Sequence, residues 1–163
     1  LMSVKGDIDN LGHILQSGLK NTTFATMAGL SRQINNFFAI WLPLLCQTED
    51  KAKNIYTIFA GGDDFYFIGP WLDMIQILPH IRQKFADYVC NNSQVSFSTG
   101  MCMTRSGDDV INMSSITEDA LEKAKGRKVE KETVKNAICC FQQVVSYDDF
   151  YNLLESEKSA DDL

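Results

Sequence analysis

A glycine-rich acidic turn lies between two runs of β-forming residues near the middle of the chain. The turn is Gly61-Gly62-Asp63-Asp64, and the runs at 55–60 and 65–68 are rich in aromatic and β-branched residues. Glycine at the tip of two such runs is typical of a β-hairpin, because glycine adopts the positive φ angles that tight turns require. The sequence therefore predicts a hairpin that presents two carboxylates at its tip.

A second group of acids closes the first predicted strand, residues 2–8, with the sequence Asp7-Ile8-Asp9. In a ferredoxin-like sheet the first strand lies beside the central hairpin, so the two acidic groups would meet at one edge. Converging carboxylates suit Mg²⁺ or Mn²⁺, and a pair of such ions can activate an attacking hydroxyl and stabilise a leaving phosphate oxygen. A DxD or a GGDD alone also occurs in ordinary loops, and it is their pairing that favours catalysis.

The remaining pattern predicts alternating helices and strands. Apolar residues recur at helical spacing over 27–45 and 71–89, and the capping-box sequence at 115–118 predicts another helix start. Strands at 95–103 and 136–141, with a basic loop before the second, complete the order β-α-β-β-α-β-α-β. We predict an α+β, ferredoxin-like fold with a mostly antiparallel sheet and helices on one face. This domain would occupy residues 1–147, followed by a C-terminal helix and frayed tail at 148–163.

Composition narrows the choice of partners. The chain has 21 acidic against 15 basic residues and a net charge of −6, which argues against direct DNA binding by this domain. The longest apolar run, residues 37–46, is about half the ~20 residues that cross a bilayer. We therefore expect no membrane partner and a cytoplasmic location. The chain begins with Leu1, so we also expect a fragment of a longer multidomain protein.

Several segments resemble, in chain order, the second palm domain of the large subunit of type III-A (Csm-type) CRISPR effector complexes. They are KGDIDNLG at 5–12, GLSRQINNFF at 29–38, YTIFAGGDDFYFIGPW at 56–71, VSFSTGM at 95–101, ALEKAKGRK at 120–128 and KNAICCF at 135–141. That subunit is grouped with the palm-fold nucleotidyl cyclases, which include GGDEF diguanylate cyclases and class III adenylyl cyclases. The resemblance covers nearly the whole chain and implies a palm domain.

The resemblance also implies an activity, which is synthesis of cyclic oligoadenylates for antiviral defence. ATP molecules would be joined 3′ to 5′, with release of pyrophosphate, when the complex binds target RNA. The implied partners are ATP, the first palm and nuclease domains of the same subunit, other effector subunits and guide RNA. Since the chain has one GGDD hairpin, it would supply half of a two-nucleotide site. We expect the isolated domain to make little or no product, although a homodimer through the hairpin face is conceivable.

The resemblance assigns the metal-binding and catalytic roles to the acidic groups. Asp7, the Ile8 carbonyl and Asp63 would bind two Mg²⁺ or Mn²⁺ ions. Asp64 would hold the metals or the reacting hydroxyl, so Asp7, Asp63 and Asp64 are the candidate catalytic residues. The role of Asp9 stays open between catalytic and structural.

Nucleotide binding is assigned to residues outside the acidic groups. Gly61 and Gly62 lack side chains and would let the triphosphate approach the backbone. By resemblance, Lys125 and Lys135 would neutralise the triphosphate, although a basic run of this kind is also typical of a solvated loop. Ser31 stands where the related diguanylate cyclases carry a guanine-reading Asp, and a Ser there is compatible with adenine.

Two alternative functions remain at this point. A diguanylate-cyclase-like GGDEF enzyme is disfavoured by Asp64, where those enzymes usually have Glu, and by Ser31. A non-catalytic palm that only holds neighbouring subunits and RNA is disfavoured by the intact acids, but the sequence does not prove turnover.

Overall fold

The computed structural model describes residues 1–18, 21–105 and 107–161. Its strands are β1 (Met2–Ile8), β2 (Tyr56–Gly61), β3 (Asp64–Gly69), β4 (Phe97–Met103), β5 (Lys128–Val129), β6 (Glu132–Thr133), β7 (Ala137–Cys140) and β8 (Gln143–Ser146). Its helices are α1 (Leu11–Ser17), α2 (Phe24–Asn36), α3 (Leu42–Thr48), α4 (Trp71–Tyr88), α5 (Val110–Lys125) and α6 (Tyr147–Asp161). A π-helical segment, Phe37–Trp41, joins α2 to α3.

Six strands form one sheet in the order β2-β3-β1-β4-β7-β8. The central strand β1 pairs antiparallel with both β3 and β4, and among the described strands the parallel pair is β4 with β7. The prediction of an α+β, ferredoxin-like, mostly antiparallel fold is confirmed. Because β1 has a partner on each side, its C-terminal end is held firmly beside the hairpin.

One face of the sheet carries the main hydrophobic core, covered by α2, α3, α4 and α6. Aromatic rings fill its centre, and pairs such as Phe37–Phe38 and Phe85–Phe97 meet edge to face, with centroids 5.2 and 5.3 Å apart. Edge-to-face contact adds a favourable quadrupole interaction to the burial of apolar surface. This packing fixes the π-helical segment, and with it α2, which is the helix that approaches the hairpin.

The prediction that the helices lie on one face requires a correction for α5, which covers the opposite face. Ser3 on β1 hydrogen-bonds Thr117 of α5 at 2.6 Å, and Lys5 forms an ion pair with Glu118 of α5 at 2.8 Å. Ser3 and Lys5 alternate along β1 with Val4, which is buried in the main core. The physical reason is that β7 runs parallel to β4, and a parallel pair needs a connection that crosses a face of the sheet.

Gly100 on β4 allows α5 to lie directly against the sheet. A Cβ atom at this position would stand 2.2 Å from the backbone nitrogen of Leu121 and 2.6 Å from the carbonyl oxygen of Thr117. Only a residue without a side chain fits such a close approach of two backbones. This contact sets the height of α5 above the sheet, and so the position of the residues at its C-terminal end.

Other local differences from the sequence prediction concern element ends and short strands. Helix α5 begins at Val110, where the Asp109 carboxylate accepts the Ile111 N–H at 3.1 Å, and not at the predicted capping box of 115–118. The basic loop contains the β5–β6 ribbon, and the sequence pattern does not predict α1 or β8. Helix α6 continues to Asp161, and the remainder of the predicted frayed tail, 162–163, lies outside the described residues. No helix in the described part of the chain is long and apolar enough to cross a membrane.

Candidate active site

The acidic residues predicted to meet at one edge of the sheet do so. Asp7 on β1 and Asp64 on β3 are direct partners in the antiparallel register. Opposed residues in such a pair lie on the same face, here the face covered by α5. The Ile8 N–H donates to the Asp63 carbonyl at 3.0 Å, which ties the end of β1 to the hairpin turn. The structure thus brings Asp7, Ile8, Asp63 and Asp64 to one end of the sheet.

The local electrostatics at the hairpin favour a cation. Partial burial raises the pKa of Asp64, and the neighbouring negative charge of Asp63 raises it further, with a smaller contribution from Glu118. Both effects act by penalising the ionised carboxylate. A positive ion placed between these carboxylates would relieve the penalty.

Lys125 provides one positive charge at this edge. It is the last residue of α5, and its ammonium group forms an ion pair with the Oδ2 atom of Asp7. Burial lowers the pKa of Lys125, and the charge of Lys135 lowers it further. Lys135 precedes Asn136, whose N–H binds Asp9 at the same end of the sheet. Both lysines predicted to meet the triphosphate therefore lie beside the acidic residues.

Asp9 has a structural role in this fold. Its side chain is buried, and its two oxygens accept hydrogen bonds from the Ser96 hydroxyl at 2.6 Å, the Ser98 hydroxyl at 2.7 Å and the Asn136 N–H at 2.9 Å. These donors hold the start of β4 and the residue before β7 against the end of β1. The hydrogen bonds from these three donors satisfy the buried carboxylate without a metal ligand.

The hairpin turn is held by a residue that the sequence analysis missed. Gly62 has a φ of 68°, as the glycine turn predicted, and its N–H donates to the Oδ1 atom of Asn35 on α2 at 2.7 Å. Gly61 is buried beside the same helix. Nothing in the local sequence of Asn35 signals a contact with a turn so far along the chain; its spacing of four residues from Ser31 was the available hint.

Ser31 lies one helical turn before Asn35 on α2 and is exposed. Residues four apart share a face of a helix, so Ser31 lies on the face that approaches the hairpin. Helix α2 packs on the core face of the sheet, whereas Lys125, at the end of α5, lies on the opposite face. Ser31 and Lys125 therefore belong to helices on opposite faces of the sheet.

The residues fit a divalent ion that takes only part of its ligands from the protein. Within residues 1–18, 21–105 and 107–161, no three His, Cys, Asp or Glu side chains form a cluster that could hold a metal by themselves. Mg²⁺ commonly binds through one or two carboxylates and takes further oxygens from water and phosphates. Asp7 and the hairpin acids meet that requirement, so they fit a metal that takes its remaining ligands from water and phosphate oxygens.

The acidic residues are accessible from the α5 face through a cavity of about 220 Å³. Its polar lining includes Lys5, Asp7, Asp64, Tyr66, Ser114 and Glu118. The Tyr66 hydroxyl is buried there and has no hydrogen-bond partner in the described part of the chain. The carboxylates of β1 and β3 are therefore not sealed by α5.

Comparison with known proteins gives consistent matches. Residues 1–139 match the family described as Cas10/Cmr2, second palm domain. The chain is 31% identical over 161 residues to the CRISPR system single-strand-specific deoxyribonuclease Cas10/Csm1 (subtype III-A) of Methanocaldococcus jannaschii, covering 89% of this chain and 20% of the relative. The Streptococcus thermophilus protein of the same name is 29% identical over 140 residues, with 82% and 17% covered. The chain spans about a fifth of the length of these relatives.

Solved structures share the fold at lower sequence identity. A crystal structure of a Csm1–Csm4 cassette in complex with pppApA matches with a TM-score of 0.78 at 17% identity, covering 94% of this chain and 24% of that one. A Csm1–Csm4 cassette in complex with cA4 matches with a TM-score of 0.69 at 20% identity, covering 84% and 20%. The fold agrees with the match over residues 1–139. This chain belongs to the Cas10/Cmr2 second palm domain family, and its relatives are Cas10/Csm1 large subunits of type III-A.

Proposed function

We propose that this domain is the catalytic palm of a cyclic oligoadenylate synthase, which joins ATP molecules 3′ to 5′ and releases pyrophosphate when an effector complex binds target RNA. The observation that carries the proposal is the register pairing of Asp7 with Asp64, beside a hairpin turn tied to Ile8. The fold matches Csm1–Csm4 cassettes in complex with AMPPNP, pppApA and cA4, which supports an adenine nucleotide as the substrate.

The acidic residues would hold Mg²⁺ or Mn²⁺, with Asp7, Asp63, Asp64 and the Ile8 carbonyl as the protein ligands. The ions would supply charge neutralisation for phosphoryl transfer, which depends mainly on positioning and electrostatics. Asp64 would hold the metals or the attacking 3′-hydroxyl beside them. The ordered turn keeps Asp63 and Asp64 in place while the nucleotide binds.

The remaining predicted residues would bind the nucleotide. Lys125 and Lys135 approach from the α5 side and would neutralise the triphosphate. Gly62, exposed at the turn, gives the phosphates access to the backbone. Ser31, on the α2 side of the turn, would face the adenine, whose Watson–Crick edge offers no N1–H for a carboxylate.

A complete reaction needs a second nucleotide whose 3′-hydroxyl lies in line with the α-phosphate, about 3–3.5 Å away. The GGDD hairpin of this chain would provide one nucleotide position, and the first palm of the same subunit would provide the other. Other effector subunits and guide RNA would transmit the binding of target RNA. The domain by itself is then expected to bind ATP weakly and to make little or no product.

Crystals of the full chain soaked with ATP and Mn²⁺ test this assignment directly. We expect an anomalous manganese peak between Asp7 and the hairpin acids, phosphates near Lys125 and adenine near Ser31. Nucleotide and metal bound at another edge of the sheet would contradict the proposal. A parallel soak with GTP in place of ATP tests the diguanylate-cyclase alternative, which predicts guanine in the same position.

A further inference from the structure

We infer that Lys125 occupies the cation position on Asp7 until ATP arrives, so that nucleotide and divalent metal bind cooperatively. This inference rests on the proposed function, because it concerns the same acids and the same triphosphate. Lys125 then has two alternative partners, the Asp7 carboxylate before the nucleotide binds and a phosphate afterwards.

Lys125 and a divalent ion would compete for one carboxylate, that of Asp7. The Lys125 ammonium contacts Oδ2 of Asp7, and the two side chains are 20% and 22% exposed. Partial burial weakens solvent screening, so the ion pair is stronger than an exposed surface pair. A divalent ion that uses Asp7 must displace this ammonium or share the carboxylate with it, and their positive charges repel. Lys125 therefore weakens the binding of metal alone.

A triphosphate offers Lys125 an alternative partner to Asp7. Lys135 precedes Asn136, whose N–H binds Asp9 at the end of β1, and the positive charge of Lys135 lowers the pKa of Lys125. A triphosphate supplies several anionic oxygens and would bind both lysines through charge-assisted hydrogen bonds. Its arrival gives Lys125 a new partner and frees Asp7 for the metal.

Only the side chain of Lys125 has to move when it exchanges Asp7 for a phosphate. Helix α5 is held against the sheet by the Gly100 contact and by the Ser3–Thr117 hydrogen bond. Lys125 is the last residue of that helix, and its flexible four-carbon stem can turn from Asp7 toward an adjacent phosphate. The backbone of the site stays the same in both arrangements.

The role of Lys125 can be measured through the thermodynamic linkage between ATP binding and metal binding. If ATP removes Lys125 from Asp7, ATP must strengthen metal binding, and metal must strengthen ATP binding by the same factor. Replacing Lys125 by Met keeps the length of the stem and removes the charge. We expect Lys125→Met to bind metal alone about five- to tenfold more tightly, at the lower end of the range for coupled sites, and to gain correspondingly less metal affinity from nucleotide than the wild type does.

The experiment is a Mn²⁺ titration of the full chain, followed by electron paramagnetic resonance, with and without AMPPNP. Asp7→Asn defines the site, since its loss identifies the manganese that binds at Asp7. Lys123→Met is the matched control, because Lys123 lies on the same helix but hydrogen-bonds Gln142. We expect Lys123→Met to match the wild type, and Lys125→Met to gain affinity for Mn²⁺ in the absence of nucleotide.

The other possible results of the titration separate a failure of this inference from a failure of the proposed metal site. If Asp7→Asn removes Mn²⁺ binding but Lys125→Met binds Mn²⁺ no more tightly than the wild type, the inference is wrong and the metal site of the proposed function stands. If Asp7→Asn leaves Mn²⁺ binding unchanged, the metal is elsewhere, and both the inference and the proposed metal site are overturned. Equal gains in Lys123→Met and Lys125→Met would show a general charge effect and would also overturn the inference.

Discussion

Asp7 and Asp64 lie directly opposite each other on adjacent antiparallel strands, with both carboxylates on the α5 face. Like charges in directly opposed positions destabilise a sheet. Lys125 offsets part of this repulsion through its ion pair with Asp7, but Asp64 also has Asp63 beside it, and its pKa is raised. The fold therefore keeps an unfavourable charge arrangement at the edge where we propose catalysis.

Replacing Asp64 should stabilise the domain while removing activity. Because the pKa of Asp64 is raised above its usual 3.8, the ionised form is penalised in the folded state at neutral pH, and the penalty disappears as the pH falls below that usual value. We expect Asp64→Asn to gain about 0.2–1 kcal/mol, or up to about 4 °C in Tm, at pH 7. Thermal unfolding at pH 7 and pH 3 measures the difference.

Asp119→Asn is the matched control for that measurement, since Asp119 is exposed on α5. We expect it to change stability by less than about 0.5 kcal/mol. A Tm for Asp64→Asn at or below that of the wild type at pH 7 would show that the opposed carboxylates carry no penalty.

Gly100→Ala should separate α5 from the sheet. The added Cβ would overlap the backbone of Leu121, which cannot move as a side chain can. We expect a loss of about 1–3 kcal/mol in urea unfolding, together with a weaker Lys125–Asp7 ion pair. Gly12→Ala is the control with the opposite sign: Gly12 lies in α1 with open space around it, and alanine is the better helix former. A neutral Gly100→Ala would mean that the helix does not rest on this glycine.

The sequence predicts the part of this fold that local patterns encode. The strand at 2–8 is confirmed as β1, and the hairpin strands lie within one residue of prediction, because alternation and turn glycines are local signals. The position of α5 is a different matter. Its apolar stripe predicts a helix, but the side of the sheet is decided by Thr117 and Glu118 meeting β1, which no local pattern states.

The candidate site also contains residues that sequence motifs predict and contacts that only the fold creates. Asp7, Asp63 and Asp64 follow from paired motifs and an expected sheet order, and the structure brings them together. Lys125 was identified by resemblance alone, and its ion pair with Asp7 depends on the crossover of α5. The contact between Asn35 and Gly62 joins two elements through one amide oxygen, so it needs the fold before it can be found.

Asn35 gives a prediction about the order of the hairpin turn. In Asn35→Ala the Gly62 N–H loses its acceptor, whereas Asn35→Asp keeps an oxygen at the same place. We expect hydrogen exchange of the Gly62 amide to become about tenfold faster in Asn35→Ala, as the loss of one hydrogen bond implies, and to stay near the wild-type rate in Asn35→Asp. Amide exchange followed by NMR measures this. Equal protection in all three proteins would exclude Asn35 as the support of the turn.

Ser31 gives a prediction about base selectivity. The wild type should prefer ATP to GTP by about tenfold or more, because an unpaired buried polar group costs about 1–3 kcal/mol. Ser31→Asp supplies a carboxylate that can accept the guanine N1–H, and it should narrow or reverse the preference. A competition titration in the presence of Mg²⁺ measures both. Equal binding of ATP and GTP by the wild type would favour the diguanylate-cyclase alternative.

The central claim is that the hairpin acids carry out nucleotide joining. The most direct measurement is the yield of cyclic oligoadenylate, by mass spectrometry, from the assembled effector complex carrying Asp63→Ala and Asp64→Ala, with target RNA and ATP present. We predict a loss of at least about a hundredfold, since in the proposed function these carboxylates would hold the charge-neutralising metals, while the affinity for target RNA stays at the wild-type value. A normal yield of cyclic oligoadenylate from this variant would contradict the account.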